Sequence, residues 1–241
     1  MTDYRRRIYS KYASCFQGSK QTFDVFAANK WGRAYDSYLK GWLPSKKDAN
    51  ILDIACGSGR LLHFLKTRGY TCITGIDISP EQVSLAKQVT ENVIQGNIIE
   101  FLKTTKKKYD LIIGLDIIEH LQKDEILCLL GSINTVLKKN GRLVLQSPNG
   151  SSPFGTTVFF GDFTHETCFT PKSLQCLLNL YNFYKIESRE TRPVPLSFIS
   201  SIRYIIWQMI RLAMKLRNLV ETGDGSNCIL TRVFIVSGVK K

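Results

Sequence analysis

The run Ile51-Leu52-Asp53-Ile54-Ala55-Cys56-Gly57-Ser58-Gly59-Arg60 restricts the fold more than any other part of the chain. A short apolar stretch passes directly into a turn with two glycines, and the turn opens an amphipathic segment. That is the pattern of a strand delivered into a glycine-rich loop at the start of a helix. Twenty residues beyond Gly57, Asp77 ends the next apolar run. An acid so placed can accept hydrogen bonds from a ribose diol, while the glycines let the backbone approach a ligand. A dinucleotide fold would carry a third glycine or alanine three residues after Gly59, and Leu62 stands there instead. A nucleoside crevice is therefore favoured over a pyrophosphate site.

The alternation continues downstream. Strands are predicted at about 51–55, 72–77, 92–96, 109–115 and 141–147, with helices between them. Ser79-Pro80 starts one helix, and another spans about 122–138 and is ended by Asn140-Gly141. A long loop rich in Gly, Pro and Ser (147–170) is a candidate binding loop. A helix over 171–181 and a strand over 183–190 follow. The expected architecture is one α/β domain over 1–241, with a seven-stranded, mostly parallel sheet and helices on both faces. Within it, 1–49 reads as a helical N-terminal cap, 50–190 as the core, 191–227 as an amphipathic insertion and 228–241 as the final strand. Aromatic residues of the cap, Tyr4, Tyr9, Tyr12, Trp31, Tyr35, Tyr38 and Trp42, are expected to pack on the sheet or close over a ligand.

The segment Leu115-Asp116-Ile117-Ile118-Glu119-His120-Leu121 follows the fourth predicted strand, at the carboxyl edge where open α/β sheets bind ligands. Asp116, Glu119 and His120 are spaced i, i+3 and i+4, so one helical turn would gather them on one face. Carboxylates beside an imidazole suit a divalent cation such as Mg²⁺ or Mn²⁺, or general acid–base work.

Four motifs in order, "LDIACGSG", "GIDIS", "QGNI" and "YDLIIGLDIIEHL", resemble those of class I S-adenosylmethionine-dependent methyltransferases. The resemblance implies a Rossmann-like fold and S-adenosylmethionine as cofactor. It places Asp53, Ala55, Cys56, Gly57 and Gly59 around the methionine part, Asp77 on the ribose and Asn97 at the adenine, with Ile78, Ile98 and Leu115 completing the set. The acid-x-x-Glu-His pattern resembles the metal segment of ubiquinone-pathway O-methyltransferases and of small-RNA ribose 2′-O-methyltransferases. The RNA group has a later histidine, and His165 in "GDFTHETCFT" is its match. The implied catalytic residues are Glu119, His120 and His165, and the implied metal ligands are Asp116, Glu119, His120 and His165.

The segment 197–220 gathers apolar residues on one half of a helical wheel and carries four basic residues but no acid. With a net charge of +13, it reads as a helix attracted to an anionic membrane surface over 198–220. Seven cysteines with no CxxC pair exclude a zinc ribbon or a redox motif and fit reduced thiols. The first residues lack an apolar signal core, so a cytoplasmic protein is expected, peripheral on the inner face of the cell membrane. The chain as a whole resembles bacterial O-methyltransferases of cell-surface polysaccharide and lipopolysaccharide synthesis, which implies a sugar hydroxyl or a lipid-linked glycan as acceptor. Two alternatives stand beside it: an RNA ribose 2′-O-methyltransferase, which the net charge suits, and a non-catalytic S-adenosylmethionine-binding regulator.

Overall fold

The strands form where residues, most fully those of the central strands, enter a buried layer on one side of the sheet or the other. They are β1 (Ile51–Ile54), β2 (Ile73–Asp77), β3 (Val93–Gln95), β4 (Tyr109–Leu115), β5 (Leu137–Pro148), β6 (Phe183–Glu190) and β7 (Val233–Lys240). This computed structural model describes residues 3–16, 22–223 and 228–241. Parts of the expected cap (1–2 and 17–21) and of the expected insertion (224–227) thus lie outside the described residues. Among the described residues the strands form one sheet in the order β3-β2-β1-β4-β5-β7-β6. The pairs from β3 to β5 are parallel, and β7 runs antiparallel to both its neighbours. The expected seven-stranded, mostly parallel sheet is present.

Side chains alternate between the two faces with the strand period of two. Leu52, Ile112, Leu143, Leu145 and Phe234 enter one apolar layer, whereas Ile51, Leu111, Ile113, Val144 and Ile235 enter the other. Each is fully buried, a contribution of about 1.5–3 kcal/mol apiece. The helices α1 (Asp3–Tyr9), α2 (Tyr12–Phe16), α3 (Val25–Tyr38), α4 (Arg60–Thr67) and α5 (Pro80–Lys87) precede β3. After it come α6 (Ile98–Thr104), α7 (Lys123–Val136), α8 (Thr156–Phe159), α9 (Pro171–Leu180) and α10 (Phe198–Thr222). Helices α3 and α4 cover the second layer, where Tyr35, Leu39, Trp42, Leu62 and Phe64 pack together. Helices α7 and α9 cover the first with Leu129, Ile133, Leu174 and Leu178.

Asn140-Gly141 does not end a helix. Helix α7 stops at Val136, and Leu137 already pairs with Tyr109 of β4. Burial of Leu137, at 1% exposure, draws the chain into the sheet before Asn140. Asn140 then adopts a left-handed conformation (φ 61°) where the β4–β5 register shifts. Ser79 does cap α5, its side chain accepting from the Gln82 N–H, with Pro80 in the first turn.

Gly59 begins α4 with φ +88°, and a Cβ built there would lie 3.0 Å from Ala86 Cα in α5. Both the left-handed backbone and the close helix approach require a glycine. Gly59→Ala is expected to lower unfolding stability by about 1–3 kcal/mol. Urea denaturation followed by circular dichroism measures this, and an unchanged midpoint would show that the helix pair relaxes freely.

Candidate active site

Strand order reverses between β1 and β4, and open α/β sheets bind ligands outside the carboxyl ends at such a point. A cleft of about 990 Å³ opens there. One wall is the turn after β1, with Ala55 and Gly57 both left-handed at φ 57° and 51°. Asp77 at the end of β2 fastens that wall. Its Oδ2 accepts from Gly57 N–H and its Oδ1 from Ser79 N–H, each at 2.8 Å. Burial raises the Asp77 pKa, and those backbone donors partly offset the rise.

Asp53 is 2% exposed, and its Oδ2 has no hydrogen-bond partner. Burial, then the nearby Asp77 charge, pushes its pKa well above the carboxylate range. Asn97 caps α6, its Oδ1 accepting from Ile99 N–H at 2.9 Å and Glu100 N–H at 3.2 Å, which leaves its NH₂ group for a ligand. Ala55, Cys56, Gly57, Ile78, Ile98 and Leu115 also line the cleft. Gly59 does not; its place is the α4 cap.

The turn after β4 is not the helical face that the i, i+3, i+4 spacing predicts. Asp116 is left-handed (φ 55°), and Ile118–His120 form a short 3-10 turn. Gln146 Nε2 donates to both Asp116 carboxylate oxygens at 3.0 and 2.9 Å, and Tyr35 Oη donates to Gln146 Oε1 at 2.7 Å. Asp116 is thereby held apart from the group of potential metal ligands, which comprises Glu119, His120 and His165 among the described residues.

In that group, one ligand atom from each residue lies within 4.8 Å of the others. Glu119 is fully buried; no donor lies at ordinary hydrogen-bond geometry from either carboxylate oxygen, and the Ser147 hydroxyl beside it is a weak partner that acts to lower its pKa. Burial, then the Asp116 charge, raises the Glu119 pKa strongly. The Glu119 carbonyl accepts from Glu166 N–H (2.8 Å) and Thr167 N–H (3.0 Å), which brings the His165 loop to the turn. The two imidazole rings stand 4.6 Å apart, centroid to centroid.

Hydrogen bonding fixes the tautomers. Thr164 Oγ1 gives its proton to Asp162 Oδ1 at 2.7 Å, so His120 Nδ1, 2.8 Å from that hydroxyl, carries the proton it donates. His165 Nδ1 donates to the Phe159 carbonyl at 2.6 Å. In the neutral rings both Nε2 atoms therefore keep a free lone pair. Burial, then the adjacent His165, lowers the His120 pKa to about 4. Burial opposes ionisation of Asp162, but hydrogen bonds from Thr164 and Tyr12 outweigh it and leave that pKa low.

Helices α1 and α2 roof the cleft. Arg5, 3% exposed, donates to Glu125 at 2.9 and 2.6 Å and to Glu166 at 3.2 Å. Tyr4 also bonds Glu166, and Tyr12 bonds Asp162. Tyr9 lines the cleft with its ring 6.5 Å from His120, while Tyr35 and Trp42 pack on the sheet. Sequence spacing alone gave no sign of Arg5, Thr164, Asp162 or Gln146. Apart from the local Asp162–Thr164 and Tyr4–Arg5 contacts, their partners lie 30 to 161 positions away.

The chain matches the profile of a family described as a methyltransferase domain over residues 26–188, more than half its length. It belongs to this methyltransferase family. Norajmaline N-methyltransferase of Rauvolfia serpentina is 36% identical over 90 residues, which cover 34% of this chain and 30% of that one. The ubiquinone biosynthesis O-methyltransferase of Pelagibacter ubique is 32% identical over 108 residues, 43% of each chain. The first curated relatives are thus matched over about a third to a half of their length. A crystal structure of a SAM-dependent methyltransferase from Archaeoglobus fulgidus superposes with a TM-score of 0.66 at 22% identity, covering 96% of this chain and 99% of that one. At that identity the likeness concerns the fold.

The methyltransferase's residues fit S-adenosylmethionine as cofactor. Asp53 offers a buried, partnerless acceptor suited to an ammonium group, the Ala55–Gly57 turn leaves room for a chain, and Asp77 stands at a ribose's reach beyond it. The low pKa of His120 yields a pH prediction. The ring is neutral when folded and titrates near 6.5 when unfolded, so the unfolded chain binds the extra proton between these values. That stability is complete above pH 6.5 and lost as pH falls towards about 4. Relative to the wild type, His120→Gln is expected to lose on the order of 3 kcal/mol less between pH 7 and pH 4. Urea unfolding at several pH values checks this, and parallel curves for the two proteins would contradict it.

Proposed function

We propose that this methyltransferase acts on oxygen, transferring the methyl group to a sugar hydroxyl of a cell-surface glycan or of its lipid-linked precursor. The observation that carries the reading is the pair of Nε2 lone pairs on His120 and His165 at the edge of the cofactor cleft. A neutral amine can attack a methyl group without a base, whereas a hydroxyl needs its proton removed as the bond forms. A neutral imidazole with a free Nε2 lone pair is suited to that task.

Bound S-adenosylmethionine supplies an electrophilic methyl group on a sulfonium. The acceptor hydroxyl that takes this methyl group would give its proton to His165 Nε2, the sulfur leaving with the electron pair of its bond to the methyl carbon. His165 lines the cleft and is more exposed than His120, and Tyr9 and Tyr12 supply aromatic walls of the kind that sugars stack on. The name of the Pelagibacter ubique relative supports oxygen as acceptor, and that of the Rauvolfia serpentina relative supports nitrogen. The base constellation supports oxygen. The motifs "SPNGSSPFG" and "GDFTHETCFTPKSL" support the glycan class.

His165→Ala is expected to lower kcat by about 10²–10⁴-fold with cofactor affinity unchanged. Labelled-cofactor transfer to glycan, lipid-linked sugar, RNA and amine acceptors, beside calorimetric binding of the cofactor, measures both. Label confined to RNA or to nitrogen overturns the reading.

A second reading rests on Glu119. Two buried carboxylate oxygens with only the Ser147 hydroxyl as a weak partner fit a hard cation, and Glu119, His120 and His165 would hold Mn²⁺ or Mg²⁺. Such an ion would lower the pKa of a bound hydroxyl and orient a vicinal diol, leaving the histidines as ligands rather than bases. Under it, Mn²⁺ raises the melting temperature of the wild type and not that of Glu119→Gln, and EDTA abolishes turnover. No thermal shift, with full turnover in EDTA, leaves the proton reading alone.

A further inference from the structure

Helix α10 is turned the opposite way from an ordinary surface helix. Its 25 residues, begun by the Ser197 cap and ended at Gly223 (φ 73°), include none that is buried. The side that meets the domain is polar and aromatic. Arg211 pairs with Glu190 at 3.4 Å, and the Arg192 guanidinium stands 5.0 Å over the Tyr204 ring. Trp207 and Met214 are half-buried on the same side. The apolar half faces out: Phe198 is 81% exposed, Ile205 59%, Met209 67%, Leu212 69% and Leu216 61%. A helix of this length presents a strip about 37 Å long, and an apolar surface of that kind marks a docking site.

The occupant follows from width, charge and place. A two-helix seam needs only a narrow stripe of apolar residues, at spacings of three and four. Here Ile199, Ile206 and Ile210 widen that stripe to about half the circumference, and they are 72%, 50% and 44% exposed. A flat apolar medium suits such an arc better than a partner helix. The arc's border carries Arg203 and Arg217, both exposed, the latter paired with Glu221 at 2.9 Å. Basic side chains at that border reach up to lipid phosphates while their stems stay on the apolar side. No acid occurs from 198 to 220, and the whole chain carries +13. Among the described residues no helix is long and apolar enough to cross a membrane, so the strip would lie on a surface. It also stands at the carboxyl edge of the sheet. Glu190, which anchors it, ends β6, and Val233 at the start of neighbouring β7 lines the cleft.

We infer that α10 is an interfacial anchor that seats the protein on an anionic lipid membrane through its outward apolar half, on the side where the cleft opens. The anchor does not depend on which acceptor is methylated. The test is co-sedimentation of the full chain with vesicles of phosphatidylcholine alone and of phosphatidylcholine mixed with phosphatidylglycerol, for the wild type, Met209→Glu/Leu212→Glu and Arg203→Glu. The expected result is at least tenfold tighter binding of the wild type to the anionic vesicles, weakened by salt. The double variant should lose binding with its melting temperature and cofactor affinity intact, and Arg203→Glu should lose the preference for anionic lipid. Failure of the wild type to bind anionic vesicles overturns the inference. So does a dimer, seen by light scattering, that the double variant abolishes while neither protein binds vesicles.

Discussion

Two backbone hydrogen bonds to one carbonyl organise the histidine end of the cleft. The Glu119 carbonyl receives the N–H groups of Glu166 and Thr167 and thereby joins the turn after β4 to the loop after β5. Without that junction His120 and His165 belong to separate segments. With it, Thr164 reaches His120, Asp162 orders Thr164, and both rings present the same nitrogen. The turn can offer its carbonyl because it is a tight 3-10 turn rather than the first turn of a longer helix, whose carbonyls are claimed by the helix itself.

The interior of the site has the opposite sign from the rest of the molecule. A chain with a net charge of +13 lines its cleft with Asp53, Asp77, Asp116, Glu119 and Asp162. Burial holds the first four with raised pKa values, and two of them have oxygens without donors. Such groups destabilise an empty fold and are relieved by a cation. A sulfonium with an ammonium is a cation of that kind.

The fold was legible in the sequence to the extent that local chemistry decides it. The β1 turn, the Asp77 spacing and the Ser79-Pro80 cap are written in residues that can do little else. Central strands of a parallel sheet read as short, mainly apolar runs, and these did despite Asp53 in β1 and Asp110 in β4. Asn140-Gly141 misled because a helix cap and a left-handed bulge ask for the same residues, and burial of Leu137 chose between them. Asp116 misled because its spacing fits a helical face, whereas Gln146, 30 positions on, claims its carboxylate. The apolar half of α10 was visible as a pattern, but a pattern gives no direction. Only the contacts of Glu190 and Arg192 show that the polar half faces inward.

The roof over the cleft is made differently from the walls. Helices α1 and α2 have seven and five residues, too few to persist alone in water. Among the described contacts, side chains fasten them: Arg5 to Glu125 and Glu166, Tyr12 to Asp162 and Ser14 to Glu81. No strand hydrogen bond runs through them. The cleft thus has a floor tied by backbone hydrogen bonds and a ceiling tied by side chains, and the Arg5–Glu166 and Tyr12–Asp162 contacts of that ceiling fall on the same loop that carries His165.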